Sequence, residues 1–238
     1  MKNLKRSLVF IACCLWGVAV AGTPIATIIP VDHIYSPKGF DSNDNTEIII
    51  SGHLPNLCHK APQTKVEVKG RQIEVTMEAY RYDASNPFCP EVIIPFVESV
   101  SVGVLDKGIY NITVNGKSVF EKKASIGISE STSDAIDDYA YANVEYVEKS
   151  LGSDVVKLRG YNPSDCFQFE EIIVVSNNKD TYSVLPKMKK ISDFCPMKMV
   201  PFSYEMVVPD TIKAEKVLLH VRAMNGKSIN SIFDRNAE

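Results

Sequence analysis

Recognisable chemistry is what this chain has least of. It carries four histidines, and no G-x-S-x-G, H-E-x-x-H or phosphate-cradling glycine loop occurs around them or elsewhere. The familiar hydrolase, metalloprotease and nucleotide-binding frameworks are therefore excluded, and a non-enzymatic protein is the expectation. No C-x-x-C is present, which argues against a structural zinc site. With 26 basic against 29 acidic residues and no basic stripe, nucleic acid and anionic membrane surfaces are not expected partners. No apolar run reaches the roughly 20 residues that a spanning helix needs. The single tryptophan, Trp16, lies in the N-terminal segment, so no later strand can supply a buried core tryptophan.

That N-terminal segment reads as an export signal over residues 1–21. Lys2, Lys5 and Arg6 make a basic start, residues 8–18 are apolar, and Ala19-Val20-Ala21 offers a small-x-small cleavage pattern. Cys13-Cys14 raises a lipoprotein alternative, but Phe10-Ile11-Ala12 is a poor lipobox, and cleavage after Ala21 is the reading. Loss of the three basic residues moves the net charge from −3 to −6. A periplasmic or secreted location follows, with no membrane span after cleavage.

The rest of the chain repeats itself. Gly52, Pro55 and Cys58 read G-x-x-P-x-x-C, and Gly160, Pro163 and Cys166 repeat the pattern roughly 100 residues later. Cys89-Pro90 leads to Pro95-Phe96, as Cys195-Pro196 leads to Pro201-Phe202 at the same spacing. Each copy closes on one tetrapeptide, Asn115-Gly116-Lys117-Ser118 and Asn225-Gly226-Lys227-Ser228. Matched landmarks in one order predict a tandem duplication, with domains over residues 22–128 and 139–238 and a polar linker over 129–138. Four cysteines at matched spacings in an exported chain predict one staple per copy, Cys58–Cys89 and Cys166–Cys195.

Short β-branched runs fill both copies. Ile73, Val75, Met77 and Ala79 alternate as a half-buried strand does. Asn115-Gly116 predicts a two-residue hairpin turn, since a type I′ turn needs positive φ at both central positions. Residues 135–151 fit either an amphipathic helix or a strand, and the matching stretch of the first copy, with Pro37 and Gly39, favours strand.

Asp106, Gly108 and Tyr110 read D-x-G-x-Y, which resembles the tyrosine corner of immunoglobulin-like sandwiches, where the hydroxyl bonds back to nearby backbone. Ile112 stands where antibody-type domains place a cysteine, so the staple must join other parts of the fold. The second copy has Lys213-Ala214-Glu215-Lys216-Val217 there and lacks the corner. As a whole, G-x-L-P-x-x-C, then C, P-F, G-x-Y and N-G is similar to a disulfide-stapled module of secreted bacterial proteins. The resemblance implies an all-β fold of two tandem immunoglobulin-like sandwiches, and it implies no ligand.

Three local features invite chemistry. His53 and His59 flank Cys58, yet Tyr161 and Phe167 replace them in the second copy, so a plain loop is the reading. Asp41, Asn43, Asp44 and Asn45 form D-x-N-D-N, which resembles the calcium-binding linker of cadherins; Ca²⁺ takes six to eight oxygens. An Asx-rich turn explains the same residues without an ion, and no cofactor is expected. Asn111-Ile112-Thr113 is a glycosylation sequon inside an expected strand, predicted to stay unmodified. The expected function is an exported binding or structural protein whose partner is an unnamed protein or envelope ligand. The alternatives are an inhibitor, an unfamiliar enzyme of the envelope, or a calcium-dependent adhesion module.

Overall fold

The computed structural model describes residues 23–82, 88–132, 141–149 and 153–234. The predicted signal segment, residues 1–21, and part of the predicted linker, residues 133–138, lie outside these. All long elements are strands. The first half holds β1 (Ile25–Ile28), β2 (Val31–Tyr35), β3 (Asn45–Leu54), β4 (His59–Lys69), β5 (Gln72–Arg81), β6 (Ile94–Val104), β7 (Gly108–Val114) and β8 (Lys122–Ile128). The second holds β9 (Val144–Lys149), β10 (Val155–Asn162), β11 (Phe167–Ser176), β12 (Thr181–Lys190), β13 (Val200–Val207), β14 (Lys216–Ala223) and β15 (Lys227–Asp234). The ambiguous stretch before Gly152 is thus strand over Val144–Lys149; its remaining residues up to 140 and after 149 are outside the described set.

In the first half a three-stranded sheet, β2-β3-β6, faces a five-stranded sheet in which β5 is flanked by β4 on one side and by β1 and β7 on the other, with β8 beyond β7. Ile48, Ile50 and Val100 from one sheet meet Ile73, Val75, Met77, Ile112 and Val114 from the other in one core. The second half repeats the plan: β9-β10-β13 faces β11-β12-β14-β15, around Val144, Val156, Leu158, Val184, Val217, Leu219 and Val221. Even the unusual pairing recurs, since β5–β7 and β12–β14 are both parallel. Burying residues of this size contributes about 1.5–3 kcal/mol each before the entropy of ordering is subtracted.

The repeated glycine and Pro-Phe now have a cause. Gly52 pairs with Phe96 across β3–β6, and Gly160 pairs with Phe202 across β10–β13. A Cβ on Gly52 would run into the Pro30 carbonyl and the Phe96 ring; on Gly160 it would meet the Asn143 carbonyl and the Phe202 ring. Only glycine lets the flanking chain and the aromatic ring close over the strand at that point.

The Asn-Gly expectation needs correction. β7 and β8 part at the Val114–Lys122 pair, leaving a seven-residue connection rather than a two-residue turn. Asn115 (φ 53) and Lys117 (φ 64) take the left-handed conformation there, while Gly116 does not. Asn115 is spent on tertiary structure: its buried side chain donates to Ile29 O at 2.9 Å and accepts from the Met77 amide at 2.8 Å. In the second half Ala223 pairs with Lys227, and Asn225 and Gly226 both have positive φ, 62 and 68.

Candidate functional site

The site-bearing residues fall at three places: the two disulfide loops, the two tyrosine anchors, and a buried seam between the halves. Cys58, between β3 and β4, is joined to Cys89, which precedes β6, with Cα atoms 5.7 Å apart. Cys166, between β10 and β11, is joined to Cys195, which precedes β13, at 5.5 Å. Each bridge ties two connections at one end of its sandwich, not strand to strand across the core. Both bridges sit in the shared sequence Phe-Cys-Pro, with Phe88 and Phe194 immediately before the second cysteine.

Tyr110 is buried and donates its hydroxyl to Asp106 O at 3.0 Å, closing the connection from β6 to β7. Arg71 lies over the ring, 4.7 Å from its centroid, and donates to the same carbonyl at 3.1 Å. Gly108 has φ 144, and a Cβ there would overlap the Arg71 guanidinium. That explains G-x-Y as a unit. The second half anchors the matching connection, from β13 to β14, with a tyrosine from a different strand. Tyr182 of β12 accepts the amides of Thr211 and Ile212 at 3.0 and 2.9 Å and bonds Thr211 Oγ1 at 2.9 Å. Nothing in the motif pointed to Tyr182.

The D-x-N-D-N residues are brought together, but around protein partners. Asp44 is buried and grips Arg222 of β14 through both oxygens, at 2.6 and 2.8 Å. Its Oδ2 also accepts the Asp41 amide at 2.9 Å. Asp41 accepts the Asn43 amide, Asn43 donates to Ser131 Oγ at 2.7 Å, and Asn45 accepts from Ser101. Asp41 also bridges Ser129, so the start of the predicted linker is fastened to this turn. The positive charge that a cation would bring to Asp44 is already supplied by a guanidinium. Among the described residues no group of three or more His, Cys, Asp or Glu side chains could hold a metal. His53 and His59 do not converge: His53 faces Asp32 at 3.3 Å, and His59 bonds Asn56 at 2.8 Å.

Arg222 also donates to Gly39 O at 3.0 Å and lies over the rings of Phe40 and Tyr141. Beside it, His220 is fully buried, with Nδ1 2.8 Å from Asn230 Oδ1 and Nε2 facing Glu47 Oε1 at 3.5 Å. Burial pushes the His220 pKa down, helped by the Arg222 charge and opposed by Glu47 and Asn230. At the other end of the seam His33 meets Asp180 at 2.8 Å. Burial alone would raise the Asp180 pKa, but hydrogen bonds from His33, Asn177 and Thr181 and the His33 charge bring it below the ordinary aspartate value. Tyr35, Ile49, Leu218 and Ile232 fill the apolar middle.

Sequence reasoning missed Arg222, His220 and Asp180. One signal was available. In β14 Val217, Leu219, Val221 and Ala223 face the second core, so Leu218, His220 and Arg222 lie on the opposite face, and that face is buried too. A guanidinium and an imidazole on the buried second face of a strand require partners from elsewhere.

The fold therefore defines an all-β protein of stacked sheets, stapled by disulfides. A family model described as an ORF11 beta-sandwich domain matches residues 48–124, from β3 to the start of β8 and about a third of the chain. The first half is similar to that family, which agrees with the sheets observed there. No curated protein matches, and no solved structure matches. Among the described residues no helix is long and apolar enough to cross a membrane.

Proposed function

We propose that the chain is an exported, non-enzymatic binding or structural protein of the bacterial periplasm or exterior. In this reading residues 1–21 are removed on export, and a duplicated immunoglobulin-like module, over 22–128 and 139–238, forms the mature protein. The observation that carries it is the pair of disulfide loops. Phe88 (84% exposed), Ile93 (67%) and Val92 (49%) stand out around one bridge, and Met197 (97%), Phe194 (83%) and Met199 (70%) around the other. Apolar side chains at such exposure cost solvation unless a partner covers them, and their recurrence at one place in both halves argues against accident. The disulfides hold the tips in place, which lowers the ordering cost of an encounter.

The test uses the mature chain from Gly22 as bait in bacterial envelope extract. The expected result is a discrete partner captured by the wild-type chain and lost with Phe88→Ser, Phe194→Ser and Met197→Ser together, at an unchanged melting temperature. Retention of the same partner by the triple variant would refute the role of the loops.

A further inference from the structure

Among the described residues strand β8 pairs only with β7, so the outer edge of its sheet carries no further strand there. The direction of its amides follows from β7. The Asn111 amide donates to Arg71 O at 2.9 Å and the Asn115 amide to Val75 O at 2.8 Å, so odd-numbered residues of β7 turn their backbone towards β5. The pairs Ile109–Gly127, Asn111–Ser125 and Thr113–Lys123 are then the non-hydrogen-bonded pairs of the β7–β8 ladder. Lys123, Ser125 and Gly127 therefore aim their N–H and C=O groups outward. Two residues on, the same edge is already in use. Ser129 donates its amide to Phe40 O at 3.0 Å, beside a parallel bridge from Asp41 to Ser129.

Upstream of Phe40 the described chain forms no ladder with β8, and a groove of about 640 Å³ lies between them. It is lined by residues 123–127 of β8 with Ile109 of β7, and by Ile34 and Pro37 of the segment that leads to Phe40. The second half fixes that segment: Arg222 holds Gly39 O, Ser183 Oγ accepts the Lys38 amide at 3.1 Å, and Asn177 donates to Ser36 O at 3.2 Å. Three ammonium groups stand around the groove, on Lys38, Lys123 and Lys179. Lys123 meets Glu121 at 2.8 Å and Lys179 is 3.7 Å from the Asp180 carboxylate, which His33 already engages. Lys38 has no carboxylate within ion-pair distance among the described residues. The balance around the opening is positive on a chain that is acidic overall.

We infer that the β8 edge accepts an extended acidic peptide segment of a partner protein, added to the sheet as a further strand. The inference rests on the binding-protein reading and assigns it a second surface. Outward amides at alternate residues supply main-chain hydrogen bonds, as in other strand additions. Five residues of edge offer about 16 Å at the usual rise of a strand. Lysines on an edge ordinarily repel a second copy of the same strand, which is why the accepted strand must carry the opposite sign.

The experiment titrates the mature chain with three synthetic peptides of about eight residues, enough to span the edge. One alternates Glu and Val, one alternates Lys and Val, and the third is the acidic peptide with every second amide N-methylated. Ser125→Pro removes one outward N–H and leaves the β7 ladder intact, because proline is tolerated where the N–H faces away from the sheet. The acidic peptide is expected to bind, at least tenfold tighter than either of the others. Ser125→Pro is expected to weaken it tenfold or more, and Lys38→Glu with Lys179→Glu to abolish the preference for acid. Equal binding of the basic peptide, indifference to N-methylation, or no binding of the acidic peptide would each overturn the inference. The N-methylated arm decides the matter even if Ser125→Pro fails to fold. Failure here with capture through the disulfide loops intact would leave the broader reading standing.

Discussion

Asp44 and Arg222, 178 residues apart in the chain, form a two-pronged ion pair buried between the halves. Each charge is acceptable there only because the other is present. Asp44→Ala or Arg222→Ala alone should therefore cost about 3–5 kcal/mol. The double variant Asp44→Leu with Arg222→Met should recover much of that loss. Urea melts of the wild type, the two single alanine variants and the double alanine variant give the cycle, and a double loss equal to the sum of the single losses would show that the pairing itself contributes little.

The same contact sets the response to calcium. With both Asp44 oxygens committed to a guanidinium, millimolar calcium should leave the melting temperature unchanged. A bound ion would instead add RT ln(1 + [L]/Kd), about 2.7 kcal/mol at a hundredfold excess. A calcium-dependent rise that Asp41→Ala with Asp44→Ala removes would favour the cadherin-like reading of this turn.

Tyr110→Phe should destabilise by about 1–2 kcal/mol through one lost bond to buried backbone. Tyr182→Phe should cost at least as much, since its hydroxyl serves two amides and a hydroxyl. A smaller loss at Tyr182 than at Tyr110 would show that the second anchor is not equivalent to the first.

Acid should weaken the seam in a defined window. The folded pKa of His220 lies below its ordinary value of 6.5, so below that pH the unfolded chain binds the extra proton and stability falls as pH falls. The gain is complete above the unfolded pKa and is lost on descent towards the folded one. His59, also lowered by burial and by Arg81, adds a contribution of the same sign. Melting temperatures between about pH 5 and 7 should therefore rise with pH, and His220→Gln should flatten the slope without abolishing it. An unchanged slope in that variant would remove His220 from the account.

What the sequence disclosed was local or repeated. Paired cysteines, the alternation from Ile73 to Ala79, and Gly108 two residues before Tyr110 each carry their meaning within a few positions or in two copies. The seam was hidden because its partners lie far apart and, of its paired residues, only Asp44 stands in a recognisable pattern. D-x-N-D-N read as a turn or an ion site because the sequence near it contains no arginine. Ile48-Ile49-Ile50 gave a hint: Ile48 and Ile50 face the first core and Ile49 the seam, so a continuous apolar run marked burial on both faces. Asn115-Gly116 misled because its strongest local preference, a tight hairpin, yields to the tertiary bonds of the Asn115 side chain.

The most direct test of the central claim is site-specific photocrosslinking with the chain expressed, signal segment included, in a bacterial host. A photoreactive residue placed at Phe194 or Met197 should trap one discrete adduct, and the same residue at the exposed position Lys189, outside the loop, should not. Equal labelling at all three positions, or none at Phe194 and Met197, would contradict the assignment of the disulfide loops as the binding surface.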